Sequence, residues 1–167
     1  MNKRILAALA LSLLCISSFA SCEGGNKKIA DNSTQEEYYT QTSLSAQEYK
    51  MYLTNKISVA TNQINTHMTK IQNVANGSCS YEDEIEALAS SIEILKEDKK
   101  DMTYVYPPDS YSSTRENALT YWQDAVDKMQ EMSEYLEGKN ISLEKAIEFA
   151  TSLKDTYTSI HSLSATV

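Results

Sequence analysis

The chain has 167 residues, with 23 acidic and 15 basic side chains and a formal charge of −8. Such an excess of negative charge repels a phosphate backbone, so we exclude nucleic acid as a partner. The chain has three cysteines, and two of them lie in or beside the N-terminal leader described next, which excludes a disulfide scaffold.

The first 21 residues have the pattern of a secretory signal. A basic head, Asn2-Lys3-Arg4, precedes an apolar run from Ile5 to Ile16, and small residues then lead to a cysteine in Phe19-Ala20-Ser21-Cys22. The apolar run is too short to cross a bilayer as a helix, which takes about 20 residues. The sequence therefore predicts a cleaved signal peptide at 1–21 and no transmembrane anchor in this segment.

The segment that ends at Cys22 resembles the lipobox of bacterial lipoproteins. In that family the signal is cut just before the cysteine, and a diacylglycerol is attached to its thiol. The resemblance implies lipidation of Cys22, anchorage to the cell membrane or the outer membrane, and a location outside the cytoplasm. Cleavage removes two basic residues and no acidic one, which leaves 13 basic and 23 acidic residues and a formal charge of −10.

Residues 22–43 have the composition of a flexible, disordered linker. They are polar and nearly free of apolar side chains apart from Tyr38-Tyr39, which we expect either to dock on the folded domain or to contact a partner. About 20 such residues have a root-mean-square reach of roughly 25 Å. The folded domain is predicted at 44–167.

From Ser45 onward the apolar residues recur at spacings of three and four, which is typical of helices that pack at small crossing angles. The predicted core stripes are, helix by helix: Tyr49, Leu53, Ile57, Ala60, Ile64, His67, Ile71 and Val74; Tyr81, Ile85, Leu88, Ile92, Leu95, Lys99 and Met102; Tyr111, Arg115, Ala118, Trp122, Ala125, Met129, Met132 and Leu136; Leu143, Ala146, Ala150, Leu153, Tyr157 and Ile160.

Capping and turn residues divide these stripes into four helices. In chain order they are the capping box Ser45-Ala46-Gln47-Glu48, the stop Asn76-Gly77, the start near Ser80, the break Pro107-Pro108-Asp109, the stop Gly138 and the cap Ser142. Short connections at 76–80 and 138–142 require antiparallel neighbours. The predicted fold is all-α, an antiparallel up-down four-helix bundle that follows the tether.

The search for chemistry is mostly negative. The sequence has no His-Glu-x-x-His, Gly-x-Ser-x-Gly, phosphate-loop or Cys-x-x-Cys motif. Di-iron bundles carry Glu-x-x-His, but Ile64 and Thr158 occupy the positions three before the two histidines. We predict no catalytic residues, no metal site and no cofactor, and we interpret the acidic run 82–86 as a solvated helix face.

Two candidate sites remain. His67 lies on the first apolar stripe, either as a buried histidine bonded to a neighbouring helix or as a ligand in the core. The second candidate is a binding loop that contains Tyr104, Tyr106, Pro107, Pro108 and Tyr111. Tyrosine rings suit recognition surfaces, and the alternative is that these rings close one end of the bundle.

Two further residues have open interpretations. Arg115 interrupts the third stripe, where it is expected to reach water or a carboxylate, or else to bind an anionic ligand. Cys79 is either a small residue near a turn or a thiol for an external partner.

The arrangement as a whole resembles small helical lipoproteins with a lipobox, a polar tether and two helical hairpins joined by a break such as Pro107-Pro108-Asp109 with Tyr111. The leading hypothesis is a non-enzymatic, lipid-anchored binding module. Its partner would be an envelope or extracellular protein or a glycan, bound at the loop or on a helix face. The alternatives are a small-ligand or metal carrier with a site near His67, and an inhibitor or immunity-type lipoprotein.

Overall fold

The computed structural model describes residues 41–167, and it confirms the predicted four-helix bundle. The helices are α1 (Ala46–Ala75), α2 (Tyr81–Tyr104), α3 (Ser112–Glu137) and α4 (Leu143–Ser162). Short 3₁₀ turns cover Asp109–Tyr111 and Leu163–Ala165, and two short strands are β1 (Thr42–Ser43) and β2 (Val105–Tyr106). The predicted signal peptide at 1–21 and the linker as far as residue 40 lie outside the described residues.

A serine is the N-cap residue of three of the helices, as predicted. Ser45 and Glu48 form a reciprocal capping box, in which Glu48 Oε2 accepts the Ser45 backbone N–H at 2.9 Å. Hydrogen bonds from Ser45 lower the pKa of the Glu48 carboxyl. Ser80 and Ser142 accept backbone N–H groups three residues later, at 3.0 and 3.1 Å. Each serine thus satisfies an amide that the helix itself leaves without a partner.

The ends of α1 and α3 also follow the prediction, with one difference in detail. Gly77 follows α1 with a φ of 74°, a left-handed conformation that favours glycine. Gly138 is the C-cap of α3, but its φ is −69°, and the left-handed residue is Lys139 with a φ of 50°. The side chain of Lys139 forms an ion pair with Glu82 at the start of α2, which ties the two connections together.

The four helices surround a single core. Among neighbouring helices, contacts are most extensive between α1 and α4 and between α2 and α3, less extensive between α3 and α4, and least extensive between α1 and α2. One end of the bundle carries β1, β2 and the 105–111 connection, and the other end carries the connections 76–80 and 138–142. We call these the loop end and the hairpin end.

The buried positions confirm the first predicted stripe completely and the third largely, whereas the other two stripes need correction. On α4, Leu143 was predicted in the core but is 56% exposed, and Phe149 is buried. On α2, Tyr81, Ile85 and Lys99 are only half-buried. The polar residues Glu84, Ser91 and Asp98 are buried instead.

The end of the predicted linker belongs to the folded structure. Strand β1 pairs in parallel with β2, with Thr42 opposite Val105 and Ser43 opposite Tyr106, and the Leu44 N–H donates to the Tyr106 carbonyl at 3.1 Å. A residue before proline favours an extended backbone. The extended chain before Pro107 therefore presents backbone N–H and C=O groups with which β1 can form hydrogen bonds. The entering chain is therefore attached to the loop end.

Candidate functional site

His67 is buried and bonded through both ring nitrogens to helix α2. Its side chain is 1% exposed. Nδ1 lies 2.6 Å from Glu84 Oε1, and Nε2 lies 2.8 Å from Ser91 Oγ. Ser91 Oγ in turn donates to Gln63 Oε1 on α1 at 2.7 Å. The structure thus places His67 in the first of its two predicted roles, as a buried histidine bonded to a neighbouring helix.

Ser91 Oγ has two hydrogen-bond contacts. Its hydroxyl donates to Gln63 Oε1, and the roles in its contact with His67 Nε2 depend on the tautomer of the ring. A catalytic triad needs the serine hydroxyl to donate to histidine instead. Ser91 is also only 4% exposed, and these features support a structural role for this Ser-His-Glu arrangement.

Glu84 corrects the interpretation of the 82–86 acidic run as a solvated face. Its side chain is fully buried, whereas Glu82, Asp83 and Glu86 are exposed. Glu84 Oε2 has no hydrogen-bond partner among the described residues, and Lys70 Nζ lies 3.8 Å from it. A buried carboxylate is costly without such partners, so His67 and Lys70 account for its position.

The signal that identifies Glu84 is a spacing of seven residues. Glu84, Ser91 and Asp98 follow one another at this interval on α2, and Lys56, Gln63 and Lys70 do so on α1. Two antiparallel helices with this period bring the two rows face to face. We call these six residues together with His67 the polar seam.

The far end of the polar seam holds a second ion pair. Lys56 Nζ lies 2.5 Å from Asp98 Oδ1 and 2.9 Å from Asp101 Oδ2. Burial alone would lower the pKa of Lys56, but the hydrogen bonds and charges of Asp98 and Asp101 outweigh it and raise the pKa. Lys56 also lies over the ring of Tyr52, 5.6 Å from its centroid. Polar and charged side chains thus make up much of the contact between α1 and α2.

A metal at His67 would need a rearrangement of the polar seam. Within residues 41–167 no three His, Cys, Asp or Glu side chains come together as a metal-binding group. Both nitrogens of His67 are already bonded, so a metal would have to displace Glu84 or Ser91. The carrier hypothesis therefore rests on the histidine alone.

The candidate binding loop is packed partly onto the bundle. The ring of Tyr111 lies 5.5 Å from that of Tyr49, which is a core residue. Tyr104, Pro107 and Pro108 are half-buried. These contacts support the interpretation of the loop as a cap on the loop end.

Tyr106 is the most exposed aromatic residue of the loop, with 42% of its surface accessible. Its hydroxyl accepts a hydrogen bond from Gln41 Nε2 at 3.3 Å, and its ring lies 5.2 Å from the Arg115 guanidinium. A recognition role for the loop, which stays a prediction, would depend mainly on this ring.

For Arg115 the sequence left water, a carboxylate or an anionic ligand open, and in the described part of the chain this side chain contacts the end of α2. Its Nε donates to the Met102 carbonyl at 3.0 Å, and its Nη2 donates to the Thr103 carbonyl at 2.8 Å. The last carbonyls of a helix have no partner within the helix, and a cation complements their partial negative charge. Arg115 is thus a capping residue supplied by another helix.

The two remaining candidates are cysteines. Cys22, the predicted lipidation site, is outside the described residues. Cys79 is a half-buried free cysteine in the 76–80 connection at the hairpin end. None of the helices within residues 41–167 combines the length and the apolar character needed to cross a membrane.

Comparison of the chain with protein-family models, with curated proteins and with solved structures found no match.

Proposed function

We propose that this chain is a lipid-anchored, extracytoplasmic protein whose helical bundle is a non-enzymatic binding module. The observation that carries the proposal is Cys22 itself, which follows a basic head, an apolar run and two small residues. A polar segment then leads from this cysteine to the bundle. Lipoprotein-type modification supplies at least two acyl chains, which hold a protein stably at a membrane where one chain does not.

The entry point of the chain gives the module an orientation. Because β1 is attached to β2, the polar segment after Cys22 would reach the bundle at the loop end. The 24 residues of α2 separate the two ends by about 36 Å at 1.5 Å per residue. A linker with a reach of roughly 25 Å would on average keep the loop end nearer to the lipid. The hairpin end and the outer helix faces would then be the surfaces open to a partner.

Metabolic labelling with an alkyne fatty acid tests the proposal in a bacterial host. We expect the chain to take up the label and to sediment with membranes, and the Cys22→Ser variant to lose both properties. Cys79→Ser is the matched control, since it removes the other cysteine outside the predicted signal peptide and leaves the lipobox unchanged. Label that persists in Cys22→Ser, or that disappears in Cys79→Ser, would contradict the proposal.

A further inference from the structure

Asn76 and Gly77 form the only Asn-Gly pair in the sequence, and they lie where α1 ends. Both residues are exposed, in the connection 76–80 at the hairpin end. Gly77 has a φ of 74°, and among the described residues no atom beyond its chain neighbours lies within 4 Å of the position that a Cβ would take. The backbone nitrogen of Gly77 is therefore not shielded by a side chain of its own residue.

An asparagine side chain can react with the backbone nitrogen of the residue that follows it. When that nitrogen loses its proton to a base, it can bond to the side-chain carbonyl carbon Cγ and close a succinimide ring. The bond from Cγ to the side-chain nitrogen breaks, and this nitrogen leaves as ammonia. Water then opens the ring at either carbonyl group, which yields aspartate or isoaspartate.

We propose that Asn76 is a site of covalent modification, at which attack by the Gly77 nitrogen converts the side-chain amide to a carboxylate. Water is the only co-reactant, and no atom is oxidised or reduced. The product carries a negative charge at the C-cap of α1, beside helix carbonyls that already carry partial negative charge. Isoaspartate also lengthens the backbone of the connection. The modification thus changes both the charge and the backbone of the hairpin end.

The last turn of α1 controls access to this reaction. The Gly77 N–H donates to the Val74 carbonyl at 3.0 Å, and the Ser78 N–H donates to the Asn73 carbonyl at 2.8 Å. The bond to Val74 has to break before the Gly77 nitrogen can reach Cγ of Asn76. Helix ends fray, and exposed connections open at a lower free-energy cost than the core. We therefore expect the modification in the folded protein, at a slower rate than in the unfolded chain.

The other described asparagines are internal controls. Asn140 is also exposed and outside the helices, but the next residue is Ile141, whose branched side chain crowds its nitrogen. The Ile141 N–H also donates to the Tyr81 hydroxyl at 3.2 Å. In the remaining cases the next nitrogen is held within α1 or α3 by the regular hydrogen bonds of the helix. These asparagines are Asn55, Asn62, Asn65, Asn73 and Asn117.

Incubation of the purified full chain at neutral and mildly alkaline pH, followed by mass spectrometry of tryptic peptides, tests the proposal. Trypsin cleaves after lysine and arginine, so the peptide 71–96 contains Asn73 and Asn76, and the peptide 140–145 contains Asn140. We expect the mass gain of an amide-to-acid conversion to accumulate at Asn76, and to do so faster at higher pH. Fragment ions assign the site, and the gain at Asn73 and Asn140 should stay much smaller.

Asn76→Gln is the matched variant, because it keeps a side-chain amide but would have to close a larger ring, and it should abolish the gain. Urea at concentrations that leave the bundle folded should not change the rate, since a local opening exposes little new surface. An unmodified Asn76 in the folded chain, an equal gain at Asn73 or Asn140, or a gain that persists in Asn76→Gln would overturn the proposal. So would a rate that rises steeply in low urea, as global unfolding requires. The measurement does not involve Cys22, so its failure is distinct from a failure of the lipid-anchor proposal.

Discussion

At the residue scale, the pairing of His67 with Glu84 is the contact on which the polar seam depends. Both side chains are almost completely inaccessible to solvent, and their contact is 2.6 Å. The loss of one partner leaves the other polar group buried without compensation, which typically costs about 3–5 kcal/mol. Loss of both partners in favour of apolar residues of similar size is often neutral or stabilising.

We therefore predict strong non-additivity between these two positions. His67→Leu alone should lower the free energy of unfolding by about 3 kcal/mol or more, and His67→Leu with Glu84→Met should restore most of that loss. Urea denaturation followed by circular dichroism measures the free energy of unfolding of the wild type, the two single variants and the double variant.

Glu82→Met is the control two residues away on the same helix. Its ion pair with Lys139 is more than half exposed, so we expect little change in the free energy of unfolding. Simple addition of the two single effects would contradict the role assigned to the pair.

Tyr52 offers a second test at the residue scale. Its hydroxyl is buried and has no hydrogen-bond partner among the described residues. Burial is the main cause that raises the pKa of Tyr52 above its ordinary value of 10.0, and the nearby carboxylates of Asp101 and Asp98 add to it. Folding therefore favours the protonated hydroxyl. This contribution to stability is complete below pH 10 and is lost as the pH rises through the folded-state value.

Tyr52→Phe should accordingly stabilise the bundle. At pH 7 we expect a gain of about 1 kcal/mol, because an unsatisfied buried hydroxyl is removed while the ring beneath Lys56 is kept. The midpoint of alkaline unfolding should also move to higher pH. Tyr135→Phe removes a hydroxyl from a residue that is 41% exposed and serves as the control. A loss of stability in Tyr52→Phe would show that the hydroxyl has a partner that the described residues do not account for.

At the element scale, a side chain of α3 binds the last backbone carbonyl groups of α2. Arg115→Ala removes two hydrogen bonds to the last turn of α2 and the contact with the Tyr106 ring. We expect a loss of about 1–2 kcal/mol, seen as a drop of several degrees in Tm. Arg115→Lys should recover little of it, since a single ammonium group does not reproduce the fork of the guanidinium.

The control for this prediction is Lys154→Ala, which removes an exposed cation from α4 and should leave Tm nearly unchanged. Full recovery in Arg115→Lys would mean that charge alone accounts for the effect and that the two carbonyl bonds are unimportant.

The sequence predicts elements better than it predicts pairings between them. Caps such as Ser45, Ser80 and Ser142 act within three residues, so local pattern is sufficient to place them. Glu84 is different, because an acid in the first turn of a helix also suits the helix dipole when it is exposed. Only the antiparallel register of α1 and α2 brings His67 opposite it, and that register is a property of the tertiary structure.

The sequence pattern also fails to predict the exposure of Leu143, for a related reason. Leu143 is the first residue of α4. The spacing of three and four does not distinguish a first residue that faces the core from one that lies beside the buried stripe. Packing against α1 and α3 selects Ala146 and Phe149 for the interior and leaves Leu143 outside. The pairing of β1 with β2 is likewise a contact between segments about 60 residues apart, which composition does not reveal.

At the scale of the whole molecule, the proposals join an anchor, a linker and a bundle with two unlike ends. The loop end receives the chain from the linker, and the hairpin end carries the start of α4 with its exposed Leu143. With Cys22 lipidated, the mature chain would carry a formal charge of −10, which makes its surface a poor ligand for anionic membranes. The lipid would then hold the protein at a membrane that its own surface charge does not favour.

The intact mass of the chain recovered from bacterial membranes tests this account most directly. The account predicts a polypeptide that begins at Cys22 and carries the added mass of a diacylglycerol on that residue. A membrane-bound or released chain that begins at another residue, or one that begins at Cys22 without lipid, would contradict it.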